Sequence, residues 1–140
     1  MPRYAADRTL VAPIDDVWAF LAEPYNLADW WPGVSGVEPD RRGLAPGARW
    51  RVLSPDKPSL LRRPQSTGML LVIDVVPMER IAFQLTGDRI DVELSLRAVD
   101  ERRTVASLVV DGPFLIGLRR RYPVQALERL YDLVQTGNEV

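Results

Sequence analysis

The sequence of 140 residues contains no cysteine and no histidine. Without cysteine the chain can form neither disulfides nor thiolate nucleophiles. Without histidine it lacks the commonest general base and the commonest transition-metal ligand. Catalytic triads that use histidine and zinc sites built from histidine or cysteine are therefore excluded, and we expect neither a metal nor a cofactor.

A strong net charge is also lacking, since the formal net charge is −1 at pH 7. Such a balance supplies no field that would attract a phosphate backbone, so nucleic acid is a poor default partner. No secretory signal is visible after Met1, and no apolar run approaches the length of a membrane span. We expect a cytoplasmic protein with one domain over residues 1–140. A homodimer is left open.

The first quarter of the sequence predicts one strand and two short helices. Alternating residues indicate a strand over Ala5–Val11. Pro13 suits the first position of a helix, and Pro24 disfavours helical geometry at Glu23, so the first helix should end there. A second short helical segment is expected over Tyr25–Trp31.

Six further strands are expected from alternating apolar residues bounded by turn residues. They are Val34–Glu38, Ala48–Leu53, Met69–Val76, Ile81–Thr86, Ile90–Val99 and Thr104–Asp111. The short connections after the third make neighbouring strands antiparallel. The stretch Ser54–Thr67 is the longest part without periodicity, and its Leu60 and Leu61 could cover a pocket.

An amphipathic pattern predicts a C-terminal helix over residues 113–136. Pro123 should kink or divide this helix, and Gly137 should end it. An antiparallel sheet of six or seven strands must bury one apolar face, and this helix is the only large apolar partner left. Because sheets twist, we expect the sheet to curve around the helix and to leave a mainly apolar space on one side.

The residues around Trp18 and Trp30 resemble a known family. Residues 12–18 (APIDDVW) and 23–34 (EPYNLADWWPGV) are similar to the first helix and its sequel in the START-like, or SRPBCC, superfamily of polyketide cyclases/dehydratases and lipid-transport proteins. Residues 75–83 (VVPMERIAF) and the closing helix are similar in placement. The resemblance covers nearly the whole chain and implies an α+β helix-grip fold, as in START and Bet v 1-like proteins, with a cavity between the sheet and the last helix. It implies no catalytic motif.

Candidate ligand-binding residues are the aromatic and aliphatic side chains expected to face that cavity. They are Trp30, Trp31, Trp50, Phe83, Leu85, Val92, Leu94, Leu108, Val110, Phe114, Tyr122, Leu127 and Tyr131. Core packing alone also explains a buried tryptophan, because its burial removes about 150–250 Å² from water. Phe83 and Leu85 would face the other way if the register slipped by one residue.

Three residues are candidates for acid–base chemistry: Asp74, Tyr122 and Tyr131. Asp74 stands alone in an apolar strand, and if it pointed inward without a partner its pKa would rise. The simpler interpretation, which we favour, places it on the outer face near Arg80 or Arg51. A tyrosine can equally hold its hydroxyl at the surface.

Three functions follow from these observations. The leading hypothesis is the binding of a small hydrophobic molecule, such as a lipid, polyketide or aromatic metabolite, without nucleic acid or membrane partners. The second is a polyketide cyclase or dehydratase, with one of the three acid–base candidates moving protons on a poly-β-ketone. The third is a protein-interaction module, which would need an exposed apolar patch and no sizeable cavity.

Overall fold

The computed structural model describes residues 3–53, 67–86, 89–112 and 121–137. In chain order the helices and strands are β1 Arg3–Leu10, α1 Ile14–Ala22, a 3₁₀ turn Pro24–Asn26, α2 Leu27–Trp30, β2 Gly36–Glu38, β3 Arg49–Leu53, β4 Thr67–Val76, β5 Arg80–Leu85, β6 Ile90–Ala98, β7 Thr104–Asp111 and α3 Tyr122–Gly137. The predicted stretch that includes Leu60 and Leu61, and the first part of the predicted C-terminal helix, lie outside the described residues.

The seven strands described form one antiparallel sheet in the order β1-β7-β6-β5-β4-β3-β2. Consecutive strands from β2 to β7 are neighbours, and β1 joins the far side of β7. The sheet is curved, with the long α3 and the short helices packed on its concave face. The predicted α+β arrangement of a curved sheet and a C-terminal helix is therefore confirmed.

The first helix begins one residue later than predicted. Pro13 has φ −61° and ψ 151°, an extended conformation, and its carbonyl oxygen accepts hydrogen bonds from the amides of Asp16 and Val17 at 3.1 Å. Pro13 therefore precedes the helix as its N-cap, and α1 starts at Ile14. The predicted effect of Pro24 is confirmed, because Glu23 is extended with φ −83° and ψ 111°.

A β-bulge interrupts β4, which the alternation did not predict. Val72 pairs with Phe83 and Asp74 pairs with Ala82, so Ile73 is the extra residue. A bulge of this kind reverses the faces of the residues that follow it. Val72 is accordingly buried on the concave face, whereas Asp74 lies on the outer face.

The two halves of the concave face have different covers. The helix α3 lies over β1 and β7, and its buried face consists of Ala126, Leu127, Leu130 and Val134. The end of α1, the 3₁₀ turn and α2 face β3, β4 and β5. Pro123 is the second residue of α3, where its missing N–H breaks no hydrogen bond of that helix.

Candidate ligand-binding site

The concave face presents three cross-strand rows of buried apolar side chains. One row crosses from β3 to β6 and contains Trp50, Leu70, Leu85 and Ile90. The next crosses from β4 to β7 and contains Val72, Phe83, Val92 and Val110. Leu94 and Leu108 follow in a third row. The register does not slip, and the predicted residues of these strands all point inward.

A narrow gap separates the first two rows from the short helices. Its helical wall is formed by Leu21, Glu23, Pro24, Leu27 and Trp30. Its sheet wall is formed by Trp50, Leu70, Val72, Ile81 and Phe83, and Leu44 closes one side. The centre of a water molecule could occupy a volume of only about 10 Å³ inside the gap. This is roughly the room that one water needs, so the gap as it stands is filled by side chains.

The gap does not lie where the sequence predicted a cavity. The expected place was between the sheet and the C-terminal helix, but none of the described residues of α3 lines the gap. Leu127 is buried in the core instead. The reason is that the apolar face of α3 packs directly on β1 and β7, and the curvature of the sheet brings β3–β5 beneath the helices that follow β1.

Four aromatic rings join the gap to the first turn of α3. Ring centroids lie 6.1 Å apart for Trp30 and Trp31, 6.3 Å for Trp30 and Phe83, 6.1 Å for Trp31 and Phe83, and 5.5 Å for Trp31 and Tyr122. The interplanar angles of 77–88° make all four contacts edge-to-face, and such pairs each contribute about 0.5–1.5 kcal/mol beyond burial. Trp30 and Phe83 line the gap, and Trp31 stands behind them.

Trp31 holds a buried hydrogen-bond donor with no acceptor. Its indole Nε1 has no partner among the described residues, although the side chain is fully buried. A Cβ placed on Gly33 would lie 3.1 Å from this nitrogen and 3.3 Å from Cε2 of Tyr122, so glycine allows the close approach. A buried donor without a partner costs about 1–3 kcal/mol. The site can therefore gain stability when an oxygen acceptor reaches Nε1.

The indole N–H of Trp50 finds its hydrogen-bond acceptor in the connection between β2 and β3. Its Nε1 donates to the carbonyl oxygen of Gly43 at 2.8 Å, next to Leu44. The same connection is fixed by Asp40, whose carboxylate accepts from the amides of Arg49 at 2.9 Å and Arg42 at 3.0 Å. These hydrogen bonds hold the pKa of Asp40 below its usual value, and the bond from the Arg49 amide has the largest effect. Asp40 thus positions one wall of the gap.

The two candidate tyrosines of α3 occupy different places. Tyr122 belongs to the aromatic cluster, beside Trp31. Tyr131 lies nine residues further along the helix, about 13 Å away, where the guanidinium carbon of Arg8 stands 4.3 Å from its ring centroid. The structure therefore brings Tyr122, and not Tyr131, towards the gap.

Asp74 lies on the side of the sheet opposite the gap. Its Oδ2 accepts from Nη2 of Arg80 at 2.6 Å. The alternative of an inward, unpaired Asp74 does not hold, because the bulge at Ile73 turns the carboxylate outward. The interpretation that placed it near Arg80 describes the observed position. Phe114 lies outside the described residues.

Several residues of the gap were missed by the sequence reasoning. Leu44 was treated as part of a turn, yet it is the only large aliphatic residue between Pro39 and Gly47, which could have marked it as a residue that packs inward. Leu27 lies three positions before Trp30 and so shares its helical face. Glu23 and Pro24 carried no signal beyond ending the helix.

A metal site and a membrane span have no support in the described ranges. No group of three or more acidic residues there is arranged to hold a metal ion. None of the helices in those ranges is long and apolar enough to cross a bilayer.

A curved antiparallel sheet with a long C-terminal helix in its hollow, and short helices after the first strand, defines a helix-grip fold. Residues 1–132 match the sequence model for polyketide cyclase/dehydrase and lipid transport. The chain belongs to this family. The resemblance based on the residues around Trp18 and Trp30 is therefore confirmed.

Solved structures of the same fold cover nearly all of the chain. XoxI from Bacillus cereus has a TM-score of 0.74 at 9% identity and covers 100% of both chains. CV1439 from Chromobacterium violaceum has a TM-score of 0.69 at 22% identity, over 96% of this chain and 99% of its own. The Aha1 dimer from Colwellia psychrerythraea has a TM-score of 0.67 at 15% identity, over 99% of each. At these identities they support the fold alone. No curated protein matches the sequence.

Proposed function

We propose that the protein binds a small hydrophobic molecule between the concave face of the sheet and the short helices that follow β1. The observation that carries this proposal is the gap bounded by Trp30, Trp50 and Phe83, whose lining is apolar except for Glu23. Membership of a polyketide cyclase/dehydrase and lipid transport family supports the same conclusion. Glu23 is the one ionisable residue that lines the gap in the described chain, so the expected ligand is uncharged.

Binding requires the gap to widen, and the helical wall is built to move. The 3₁₀ turn has three residues and α2 has four, so few backbone hydrogen bonds hold either of them. Two side-chain bonds anchor the turn: Nδ2 of Asn26 donates to the carbonyl oxygen of Phe20 at 2.8 Å, and the amide of Tyr25 donates to Oε1 of Glu23 at 3.4 Å. Elements with so few internal bonds open at a low free energy. Movement of this wall would admit a ligand past Glu23 and Pro24.

The unpaired donor of Trp31 suggests one polar feature of the ligand. A carbonyl or hydroxyl oxygen that replaced Tyr122 beside Nε1 would accept its hydrogen bond and remove the penalty of the buried donor. The preferred molecule would then be mostly hydrocarbon with one oxygen acceptor. Lipids and polyketides both have this chemistry.

The proposal is tested with N-phenylnaphthylamine, an uncharged hydrophobic probe that fluoresces in apolar surroundings. We expect saturable one-to-one binding to the full chain. Leu44→Trp places a large ring at the side of the gap and should abolish it, whereas Leu71→Trp on the outer face of β4 should not. Equal binding by both variants, or no binding by the wild type, would contradict the proposal. If the probe binds as expected, native mass spectrometry of the mildly purified protein would identify a ligand carried from the cell.

A second candidate is a protein-interaction module, and the volume of the gap favours it. The described interior offers about 10 Å³ here, and such a module needs no sizeable cavity. Its other requirement is an apolar surface, but among the large apolar residues exposed in the described chain only Met69 and Ile73 share an element, β4. The full set is Val11, Tyr25, Met69, Ile73, Met78, Val99 and Val124. Binding of the probe at the gap would decide against this candidate. Cyclase or dehydratase activity stays a prediction, with Tyr122 as its best-placed residue.

A further inference from the structure

The strand β1 forms a long edge of the sheet. Among the strands described its one neighbour is β7, and the strand at the opposite edge is β2. β2 has three residues, whereas β1 has eight, all of which pair with β7 without a bulge. The free side of an edge strand presents N–H and C=O groups that can pair with another strand, and proteins limit such pairing by short strands, bulges, proline or charged side chains. Of these devices, β1 has only charged side chains.

The charges of β1 are complementary to those of a second copy. Arg3, Ala5 and Asp7 lie on the outer face of the strand and are exposed, while Tyr4 and Ala6 pack against the core. If two copies pair antiparallel about Ala5, Arg3 stands opposite Asp7 of the partner subunit, and the two-fold axis makes this pair twice. Direct cross-strand partners have Cβ atoms about 5 Å apart, within reach of an ion pair, and opposite charges there stabilise the pairing.

Both charged residues are available for this contact. Asp7 pairs across the sheet with the uncharged Ser107 and has no ion-pair partner within the described ranges. Nε of Arg3 lies 3.9 Å from Oδ2 of Asp111, and the Arg3 side chain is 66% exposed. A guanidinium has several N–H donors, so Arg3 can keep its contact with Asp111 and still bind a second carboxylate.

The same charges disfavour the registers further along the strand. Pairing about Ala6 would place Asp7 opposite Ala5 and Arg3 opposite Thr9, so neither charge would meet its opposite. Pairing about Asp7 would bring the two copies of this carboxylate face to face, and like charges in such pairs are destabilising. The pattern therefore favours one register, and the strand that matches it is a second copy of β1.

The helix α3 places an exposed apolar residue beside the same edge. The guanidinium carbon of Arg8, on β1, lies 4.3 Å from the ring centroid of Tyr131. Val124 lies seven residues before Tyr131, about two turns, so it shares that flank of the helix, and it is 44% exposed. Tyr122 lies on the opposite flank, where it packs on Trp31 towards the short helices. A second copy on the β1 edge would therefore reduce the exposure of Val124.

We infer that the chain forms a two-fold homodimer in which the β1 strands of two copies pair antiparallel about Ala5 and join the two sheets into one. The main chain of each β1 supplies hydrogen bonds, and the two ion pairs between Arg3 and Asp7 of the partner subunit fix the register. The gap on the concave face is bounded by β3, β4 and β5, which lie at least three strands from β1. Each copy therefore keeps its own gap.

Sedimentation velocity of the full chain over a wide range of concentration tests the inference. We expect an equilibrium between monomer and dimer that shifts towards the monomer when salt is added, because exposed ion pairs are screened. Amide hydrogen exchange gives the location of the interface. As the concentration rises, protection should increase in β1 and stay unchanged in β2.

Two charge variants test the register. Asp7→Arg makes both members of the pair cationic and Arg3→Asp makes both anionic, so each should weaken self-association about tenfold or more. An equal mixture of the two variants restores both ion pairs and should dimerise as tightly as the wild type. Glu79→Arg makes the same change of charge in the turn between β4 and β5 and is the matched control, with unchanged association. Circular dichroism establishes that each variant is folded before the comparison.

Three outcomes would overturn the inference. The first is a monomer at every concentration. The second is a dimer that Asp7→Arg weakens no more than Glu79→Arg does, because its interface would then lie elsewhere. The third is a mixture of the two folded charge variants that fails to associate, because the charges would then not set the register. None of these outcomes bears on the binding of N-phenylnaphthylamine, so the proposed function stands or falls separately.

Discussion

The half of the concave face under α3 and the half under the short helices are built from similar apolar residues but packed differently. Over β1 and β7, the sixteen-residue α3 presents buried residues at regular helical spacing, from Ala126 to Val134. Over β3–β5, a three-residue turn and a four-residue helix cover aromatic rings and leave a gap. A long helix is held by many internal bonds, whereas short elements depend on their contacts. The first half therefore stabilises the fold, and the second can rearrange.

The largest expected effect is a difference in the free energy of unfolding between a substitution in the half under α3 and one in the half under the short helices. Leu130→Ala removes a fully buried side chain of α3 and should lower the free energy of unfolding by about 2–5 kcal/mol. Leu44→Ala, at the partly buried side of the gap, should lower it by less than about 1 kcal/mol, because the wall can relax. Urea unfolding of both variants measures the difference. Equal losses would mean that the two halves are equally rigid.

The two indoles near the gap give the next comparison. Trp50→Phe leaves the carbonyl oxygen of Gly43 without its hydrogen bond, while Trp31→Phe removes a donor that has no partner among residues 3–53, 67–86, 89–112 and 121–137. We expect Trp50→Phe to be more destabilising than Trp31→Phe by about 1 kcal/mol. Thermal and urea unfolding test the order. The reverse order would show that the indole N–H of Trp31 is satisfied in solution.

The smallest expected effect concerns two exposed carboxylates, Asp40 beside the gap and Asp100 in the turn between β6 and β7. Hydrogen bonds from the Arg49 amide to Asp40, and from the Arg103 side chain to Asp100, lower the pKa of each carboxyl. A lowered folded pKa stabilises the fold above the unfolded pKa, and this contribution is lost as pH falls through the folded value. Asp40→Asn and Asp100→Asn should therefore each reduce stability at neutral pH, with the loss fading in acid.

Ligand binding should distinguish these two variants. Asp40 fixes the connection that places Leu44 beside the gap, so Asp40→Asn should also weaken binding of N-phenylnaphthylamine. Asp100→Asn should not, because its turn lies away from the gap. Fluorescence titration at neutral pH makes the measurement. A matching loss in both variants would show that Asp40 acts only through general stability.

Much of the fold could be predicted because alternation and turn residues report it locally. Ile90, Val92 and Leu94 alternate with polar residues, and β6 follows that pattern from Ile90 to Arg97. The bulge of β4 could not be predicted, because Met69–Val76 is apolar almost throughout and marks no face. The predicted start of α1 at Pro13 was one residue too early, because proline suits both the N-cap and the first helical position.

The site was harder to predict than the fold because it depends on volumes and hydrogen bonds between distant residues. The tryptophans at positions 30, 31 and 50 were predicted to face inward, and they do. Nothing local distinguishes Trp50, which donates to Gly43, from Trp31, which has no acceptor in the described part of the chain. Whether a gap is filled depends on how α3 and the short helices share the concave face, and periodicity does not determine that division.

The extra residue in β4 decides whether this protein has an acid in its interior. If β4 paired without the bulge, Ile73 would stand opposite Ala82 and Asp74 would stand opposite Ile81, on the inward face. A carboxyl group would then face the aromatic rings, away from Arg80, as a proton donor in an apolar chamber. Within this fold, the pairing of one residue in an edge of the core decides which side of the sheet an acid occupies.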